Sequence, residues 1–272
     1  MKLIILLIAA GVTFFTVIAS KAGLRQLKRR RLLGAPFPPA WDDVLQRNLP
    51  PYGKLTPRLR QQLQELIRIF IGEKSFEGCG GLVLNDEIRV TIAAQACMLL
   101  FNRKTEIYPR LYSVLVYPST YVAGASHTPE QQLDSGAVRL GESWTTGAVV
   151  LAWDSVKQGA INFHDGHNVT MHEFAHQLDQ DDGRSNGVPI LGNRSAYSAW
   201  ARVFSQEYEQ LRRKTARGKK SMLDAYGATN PAEFFAVATE TFFEKPSLLK
   251  SKHPELYEEL YDFYQVNPIE WE

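Results

Sequence analysis

The sequence predicts an α+β fold, mostly helical with a small sheet, and three features of the 272-residue chain carry that prediction. Apolar residues recur at helical spacing over residues 41–70 and the pattern is helical again after Asn168. Two short β-branched runs, 113–117 (SVLVY) and 148–153 (AVVLAW), lie between and are bounded by Pro, Gly or Asp, as strands are. One uncharged run at the N-terminus is the only segment apolar enough to cross a bilayer, which excludes a polytopic transporter. A content of 44% hydrophobic and 22% charged residues excludes a disordered or collagenous chain. Cys79 and Cys97 form no C-x-x-C pair and are expected as reduced core thiols rather than a disulfide scaffold.

Residues 3–19 carry no charge, and a helix of that length reaches about 25 Å, the short end of what spans a membrane. A cleaved signal peptide is the competing reading, with Ala19 and Ser20 as small residues at a cleavage site. The flanks favour an anchor. One Lys precedes the run, whereas Lys21, Arg25, Lys28, Arg29, Arg30 and Arg31 follow it, so the positive-inside rule keeps the C-terminal side in the cytoplasm. The expected organisation is a transmembrane anchor over 1–20, a basic juxtamembrane stalk and Pro-rich linker over 21–41, and a folded domain over 42–272. The first 41 residues hold seven basic residues and no acid, leaving 24 basic against 29 acidic residues in the rest. That mildly acidic body offers no nucleic-acid-binding face, and the basic stalk suits anionic lipid headgroups instead.

Within the body, Leu45, Leu49, Leu59, Leu63, Leu66, Ile67 and Phe70 predict two helices, broken at Pro50-Pro51 and restarted by Thr56 as cap and Pro57 as first helical residue. Residues 76–81 read as a turn, 91–101 as a buried helix, and 124–143 as a polar loop. After Asn168 the rest is helical in pattern, with interruptions at 181–187 and near Gly218.

The most specific signal is His172-Glu-Phe-Ala-His176. Two imidazoles four residues apart share one helical face and can bind one cation, and the intervening Glu faces the same cleft. This is the zinc-peptidase pattern, preceded by a strand to which an extended peptide can add and by Asn168 as a helix cap. A catalytic zinc needs a third protein ligand, and no third His follows at the extended-motif spacing. Glu207, Glu209, Glu233, Glu240 and Glu244 are the candidate carboxylates, of which Glu233, Glu240 and Glu244 fall along one side of a helix opened by Asn230-Pro231. The same residues spell a capping box, in which Glu233 would return to the cap amide and ligate nothing. Asp179 and Glu240 are candidates to hold the ligands in place. His167 reads as a loop contact, and His127 and His253 as surface residues.

Several motifs in order then resemble one known family: Phe76-Glu-Gly-Cys-Gly-Gly81, Val90-Thr-Ile-Ala-Ala-Gln-Ala-Cys97, Val116-Tyr-Pro118, Gly166-His-Asn-Val169 running into the His172 box and Gln177-Leu-Asp179, Asp224-Ala-Tyr226, and Pro231-Ala-Glu-Phe-Phe235. Together, over about residues 42–268, they are similar to the Mlc titration factor A family of bacterial zinc metallopeptidases, related to the catalytic domain of anthrax lethal factor. The resemblance implies a zincin-like α+β domain with one Zn2+ per chain, held by His172, His176 and Glu233. It implies Glu173 as general base and Tyr226 as a residue assisting at the substrate carbonyl. Residues 1–41 depart from that family, whose members are soluble cytosolic proteins that bind the glucose repressor Mlc.

The expected function is therefore hydrolysis of peptide bonds by a metal-activated water, in an aminopeptidase-like regulatory protease held at the cytoplasmic face of a bacterial inner membrane. Its partners would be a peptide or protein substrate and the membrane, with the chain itself a monomer and no nucleic acid bound. The rival from another class is a binding protein that sequesters a transcriptional regulator at the membrane. A third reading makes residues 59–70 a docking helix for an adaptor.

Overall fold

A computed structural model describes residues 23–103, 106–119, 121–122, 138–139, 141–144 and 147–272. The chain divides into two compact units, Met1–Phe37 and Pro38–Glu272. In the first, residues 23–34 are helical, with Leu24 and Leu27 exposed among the basic side chains. The 3–19 run expected to cross a membrane lies outside the described residues; among those described, no helix is long and apolar enough to do so.

The second unit opens with α1 (Pro39–Asn48) and α2 (Pro57–Glu73), the latter started as expected by Thr56, whose Oγ1 accepts from the Leu59 amide. Leu63, Ile67 and Phe70 of α2 are fully buried, so this stripe belongs to the core and offers no docking face. Helix α3 (Asp86–Met98) starts earlier than the apolar run, because Asn85 caps it by accepting from the Ile88 amide. All of its residues from Val90 to Met98 are buried, and Leu99–Phe101 continue the burial in turns.

Four strands make the main sheet: β1 (Ser75–Gly78), β2 (Ser113–Tyr117), β5 (Gly141–Trp144) and β6 (Ala148–Ala152), in the order β1-β2-β6-β5. β1, β2 and β6 run parallel, while β5 pairs antiparallel with β6 at the edge. The short strands β3 (Tyr121–Val122) and β4 (Val138–Arg139) pair antiparallel apart from it. Two expectations change here. The turn assigned to 76–81 begins as strand β1, and the loop assigned to 124–143 contains β4 and most of β5. A four-residue edge strand carrying Glu77 and Gly78 has no apolar alternation to betray it.

Helix α4 (Trp153–Ile161) follows β6 without a break, then α5 (Val169–Asp179), the long α6 (Arg194–Ala216), α7 (Pro231–Glu244), α8 (Pro246–Lys252) and α9 (Pro254–Tyr264). The strand expected to end at Trp153 and to receive an extended peptide is β6, which ends at Ala152, is followed by α4, and is already paired with β2 on one side and β5 on the other. Gly159 of α4 lets the backbone approach Asn168, where a Cβ would stand 3.2 Å from the Asn168 Cα. Helices α6, α7 and α9 share an aromatic core in which Trp200 stacks on Phe204 at 3.8 Å and Phe235 meets both Trp200 and Phe263 edge-on.

His253, expected on the surface, is buried between α8 and α9, with its Nδ1 2.7 Å from Glu207 Oε2 on α6. Cys97 is buried as expected, Cys79 is only half-buried, and neither is in a disulfide.

Candidate active site

Helix α5 packs against α7 and beneath β5 and β6, and these two helices supply the chemistry. Asn168 starts α5: its Oδ1 accepts from the Met171 amide, satisfying one of the orphan donors of the first turn. His172 and His176 then lie one turn apart, with ring centroids 4.8 Å from each other and Nε2 atoms 3.2 Å apart.

Helix α7 starts at Pro231, with Asn230 Oδ1 accepting from the Glu233 amide. The cap expected from the sequence is formed, but the Glu233 side chain does not return to it. Its Oε2 stands 2.9 Å from His172 Nε2 and 3.2 Å from His176 Nε2. Burial opposes ionisation of Glu233, yet the two imidazoles outweigh it and hold the carboxyl at about 2. Its place in the first turn of α7, at the positive end of the helix dipole, also favours the anion.

The three donor atoms form a triangle with edges of 2.9, 3.2 and 3.2 Å. A tetrahedral zinc at about 2.0–2.1 Å from each ligand has donor-to-donor edges of about 3.3 Å. The triangle therefore fits one face of such a tetrahedron with a few tenths of an ångström of expansion. Two imidazoles and a carboxylate, with no thiolate, are the donor set of a catalytic rather than a structural zinc.

Glu240, two turns along α7 from Glu233, places Oε1 2.7 Å from His172 Nδ1, which directs the other ring nitrogen toward Glu233 and His176. Its Oε2 accepts from the Asn168 backbone amide at 2.5 Å. Asp179, expected near His176 in the same capacity, does something else. It is fully buried and accepts from the Gly187 and Val188 amides, so it ties down the loop after α5. That loop packs on the start of α7, where Gly187, with φ of +74°, leaves no room for a Cβ: one would lie 2.3 Å from the Pro231 carbonyl oxygen. Asp179 thus holds the loop that lies against Pro231 in the first turn of α7.

Glu173 faces inward beside the ligands. It is 5% exposed, and its Oε2 is buried and meets no hydrogen-bond partner among the described residues. Burial pushes its carboxyl up, His172 and His176 pull it down, Glu233 and Glu240 push it up again, and it comes to rest at about 7. Tyr226 lies in a short 3-10 turn, Ala225–Ala228, with its ring centroid 5.8 Å from that of His172 and 55% of its surface exposed. The Tyr226 amide donates to Asp224 Oδ1, and Asp224 Oδ2 stands 3.5 Å from His167 Nδ1. All five residues singled out by the sequence pattern and the resemblance therefore converge. Glu207 and Glu209, the other candidate carboxylates, lie on α6 and pair with His253 and Arg212.

A family model for glucose-regulated metallo-peptidases of class M90 matches residues 24–265. The chain belongs to that family. Among M90 relatives, an uncharacterized protein of Synechocystis sp. is 43% identical over 245 residues, covering 89% of each chain. Mlc titration factor A of Yersinia pestis and its counterpart in Yersinia pseudotuberculosis are each 29% identical over 234 residues, covering 84% of this chain and 85% of theirs. Membership of a metallopeptidase family accords with the His172, His176 and Glu233 triangle, a group able to hold a metal ion.

Proposed function

We propose that this chain is a zinc-dependent peptidase, with His172, His176 and Glu233 as metal ligands, Glu173 as general base and Tyr226 as oxyanion donor. The observation that carries the reading is Glu173: a buried carboxyl, its Oε2 without a hydrogen-bond partner among the described residues, on the helix that also carries two of three converging ligands. No structural role asks for such a group, because an unpaired buried carboxylate destabilises the fold.

Zinc bound at the triangle supplies a Lewis acid that lowers the pKa of water and polarises a carbonyl. The chain does the rest. Glu173 accepts the proton of the attacking water at its free oxygen and later returns it to the leaving amine. Glu240 holds the His172 Nδ1 proton and so keeps Nε2 available for the metal. Tyr226, exposed at the rim, donates a hydrogen bond from its hydroxyl to the developing oxyanion. The edge strand β5 carries main-chain groups to which an extended peptide can add as a further strand.

The membrane placement remains part of this proposal: residues 3–19 as a single anchor, with the peptidase facing the cytoplasm of a bacterium. A second reading, sequestration of a transcriptional regulator, draws support from the name Mlc titration factor A carried by the Yersinia relatives. Hydrolysis of a mixed peptide library by the full chain in detergent, with free and blocked N-termini, tests the first reading. Turnover that requires zinc and disappears in Glu173→Gln supports a peptidase; no turnover in either supports the binding role.

A further inference from the structure

The third carboxylate on the inner side of α7 is not absorbed by the ligand set or by the base. Glu244 lies eleven residues after Glu233 and is 2% exposed. Its Oε2 accepts from the backbone amides of Gly166 at 2.8 Å and His167 at 3.2 Å, and its Oε1 accepts from Asn168 Nδ2 at 3.0 Å. One buried carboxylate thereby gathers the loop that leads into α5. That loop needs Gly166, whose φ is +76° and whose missing Cβ would press on the Lys245 side chain.

Two chains of contact leave this loop. The first runs through Asn168, which caps α5 by Oδ1 and gives its backbone amide to Glu240 Oε2; the other oxygen of Glu240 holds His172 Nδ1. The second runs through His167, whose ring stands 3.5 Å from Asp224, and Asp224 in turn accepts from the Tyr226 amide. We propose that Glu244 is a positioning residue for both halves of the site, setting the His172 imidazole through Asn168 and the Tyr226 ring through His167 and Asp224. The Tyr226 limb rests on the peptidase reading; the His172 limb needs only that the site binds metal.

Burial pushes the Glu244 carboxyl up to about 8 and the N–H groups of Asn168 and Gly166 pull against it; the contacts are those of an acceptor at both oxygens, which an amide would not reproduce. Three N–H donors converge on two acceptor oxygens, and Gln would turn an NH2 group toward one of them. If that group faced Asn168 Nδ2, Asn168 could escape only by rotating its amide, which would bring NH2 against the Met171 amide and forfeit the α5 cap. The substitution therefore loosens either the loop or the helix that carries both imidazoles.

The test uses the full chain in detergent with Glu244→Gln, Asn168→Ser and His167→Ala, each alone and with Tyr226→Phe. Zinc affinity is read by chelator competition, ligand geometry by the visible spectrum of the cobalt-substituted protein, and turnover as kcat and KM per metal-loaded molecule. Glu244→Gln is expected to weaken zinc binding about tenfold or more, shift the cobalt bands, and lower kcat with little change in KM. Asn168→Ser keeps a capping oxygen while cutting the Nδ2 links to Glu244 and to the Gly159 carbonyl, so it should repeat the metal defect even if Glu244→Gln fails to fold. His167→Ala, at an exposed ring, should leave zinc affinity intact and lower kcat about threefold, an effect that vanishes in Tyr226→Phe. If zinc affinity, cobalt spectrum and kcat all stay at wild-type values in Glu244→Gln while only thermal stability falls, the proposal is overturned. A wild-type chain that hydrolyses nothing would sink the peptidase reading, and the zinc and cobalt measurements would still decide the role of Glu244.

Discussion

Helix α7 is buried on two sides that are made of opposite materials. Phe234, Phe235, Phe242 and Phe243 interlock with Trp200, Phe204, Tyr264 and Phe263 from α6 and α9. Glu233, Glu240 and Glu244 point instead toward α5 and the loop that starts it. On the aromatic side an apolar side chain of matching volume and shape can serve, since dispersion and water exclusion depend on packing rather than on a particular polar partner. On the carboxylate side both oxygens of Glu240 and Glu244 and the Oε2 of Glu233 answer particular N–H groups or imidazole nitrogens, because a buried charge without a partner is strongly destabilising. Glu173, facing them from α5, differs in that its buried Oε2 meets no hydrogen-bond partner among the described residues, which is why it reads as the reactive group. The comparison separates what holds the molecule together from what lets it act, and substitutions on the two sides should fail in different ways.

The largest separation is expected between Glu233→Gln and Phe235→Ala. Glu233→Gln should carry zinc stoichiometry toward zero and abolish turnover with circular dichroism unchanged, because the amide lacks the charge and the basicity of the ligand. If Glu233 were only a helix-cap residue, Gln would serve as well and zinc would be retained. Phe235→Ala should do the reverse, destabilising the fold by about 3–5 kcal/mol in denaturant titration while the folded fraction keeps its zinc affinity. Equal loss of metal in both variants would erase the distinction between the two sides.

Tyr226→Phe sharpens the comparison at the rim. An oxyanion donor acts on the transition state, so kcat should fall about 10²-fold with zinc content and KM little changed. A Phe variant with wild-type kcat would remove Tyr226 from the mechanism.

The smallest effect belongs to Asp181, just beyond the end of α5. Burial raises its carboxyl to about 6 against the pull of Arg103, Arg110 and Lys74, and its Oδ1 is buried without a partner among the described residues. A raised carboxyl favours folding only while protonated, so its benefit is complete below the unfolded value near 4 and lost as pH rises through about 6. Asp181→Asn should therefore match wild-type stability below pH 4 and exceed it by about 1 kcal/mol at pH 7.5, after discounting for partial exposure. A gain that is the same at both pH values would contradict this origin.

Much of the site was legible because its signals are local. Helical spacing puts His172 and His176 on one face, and Asn168, Asn230 and Pro231 mark helix starts by side-chain and backbone chemistry that needs no partner elsewhere. The third ligand was open among five carboxylates on spacing alone, since a capping box and a ligand share the same residues, and only the resemblance singled out Glu233. What stayed hidden is long-range. Asp179 turned to the Gly187 loop, His253 to Glu207 on α6, and Glu244 to three donors 76–78 residues away, contacts that no periodicity encodes. Strand β1 was missed because four residues with a charge and a glycine have no pattern, and α4 because it continues from β6 without a breaker.

The central claim is that Glu173 is the general base of a zinc peptidase, and Glu173→Gln tests it most directly. Measured side by side on the full chain, zinc stoichiometry should stay at one per chain while hydrolysis of a peptide that the wild type cleaves falls by about 10³-fold or more. The amide should also fold at least as stably as the wild type, since it replaces a buried carboxyl whose Oε2 meets no hydrogen-bond partner among the described residues. Undiminished hydrolysis in Glu173→Gln, with zinc bound, would contradict the account.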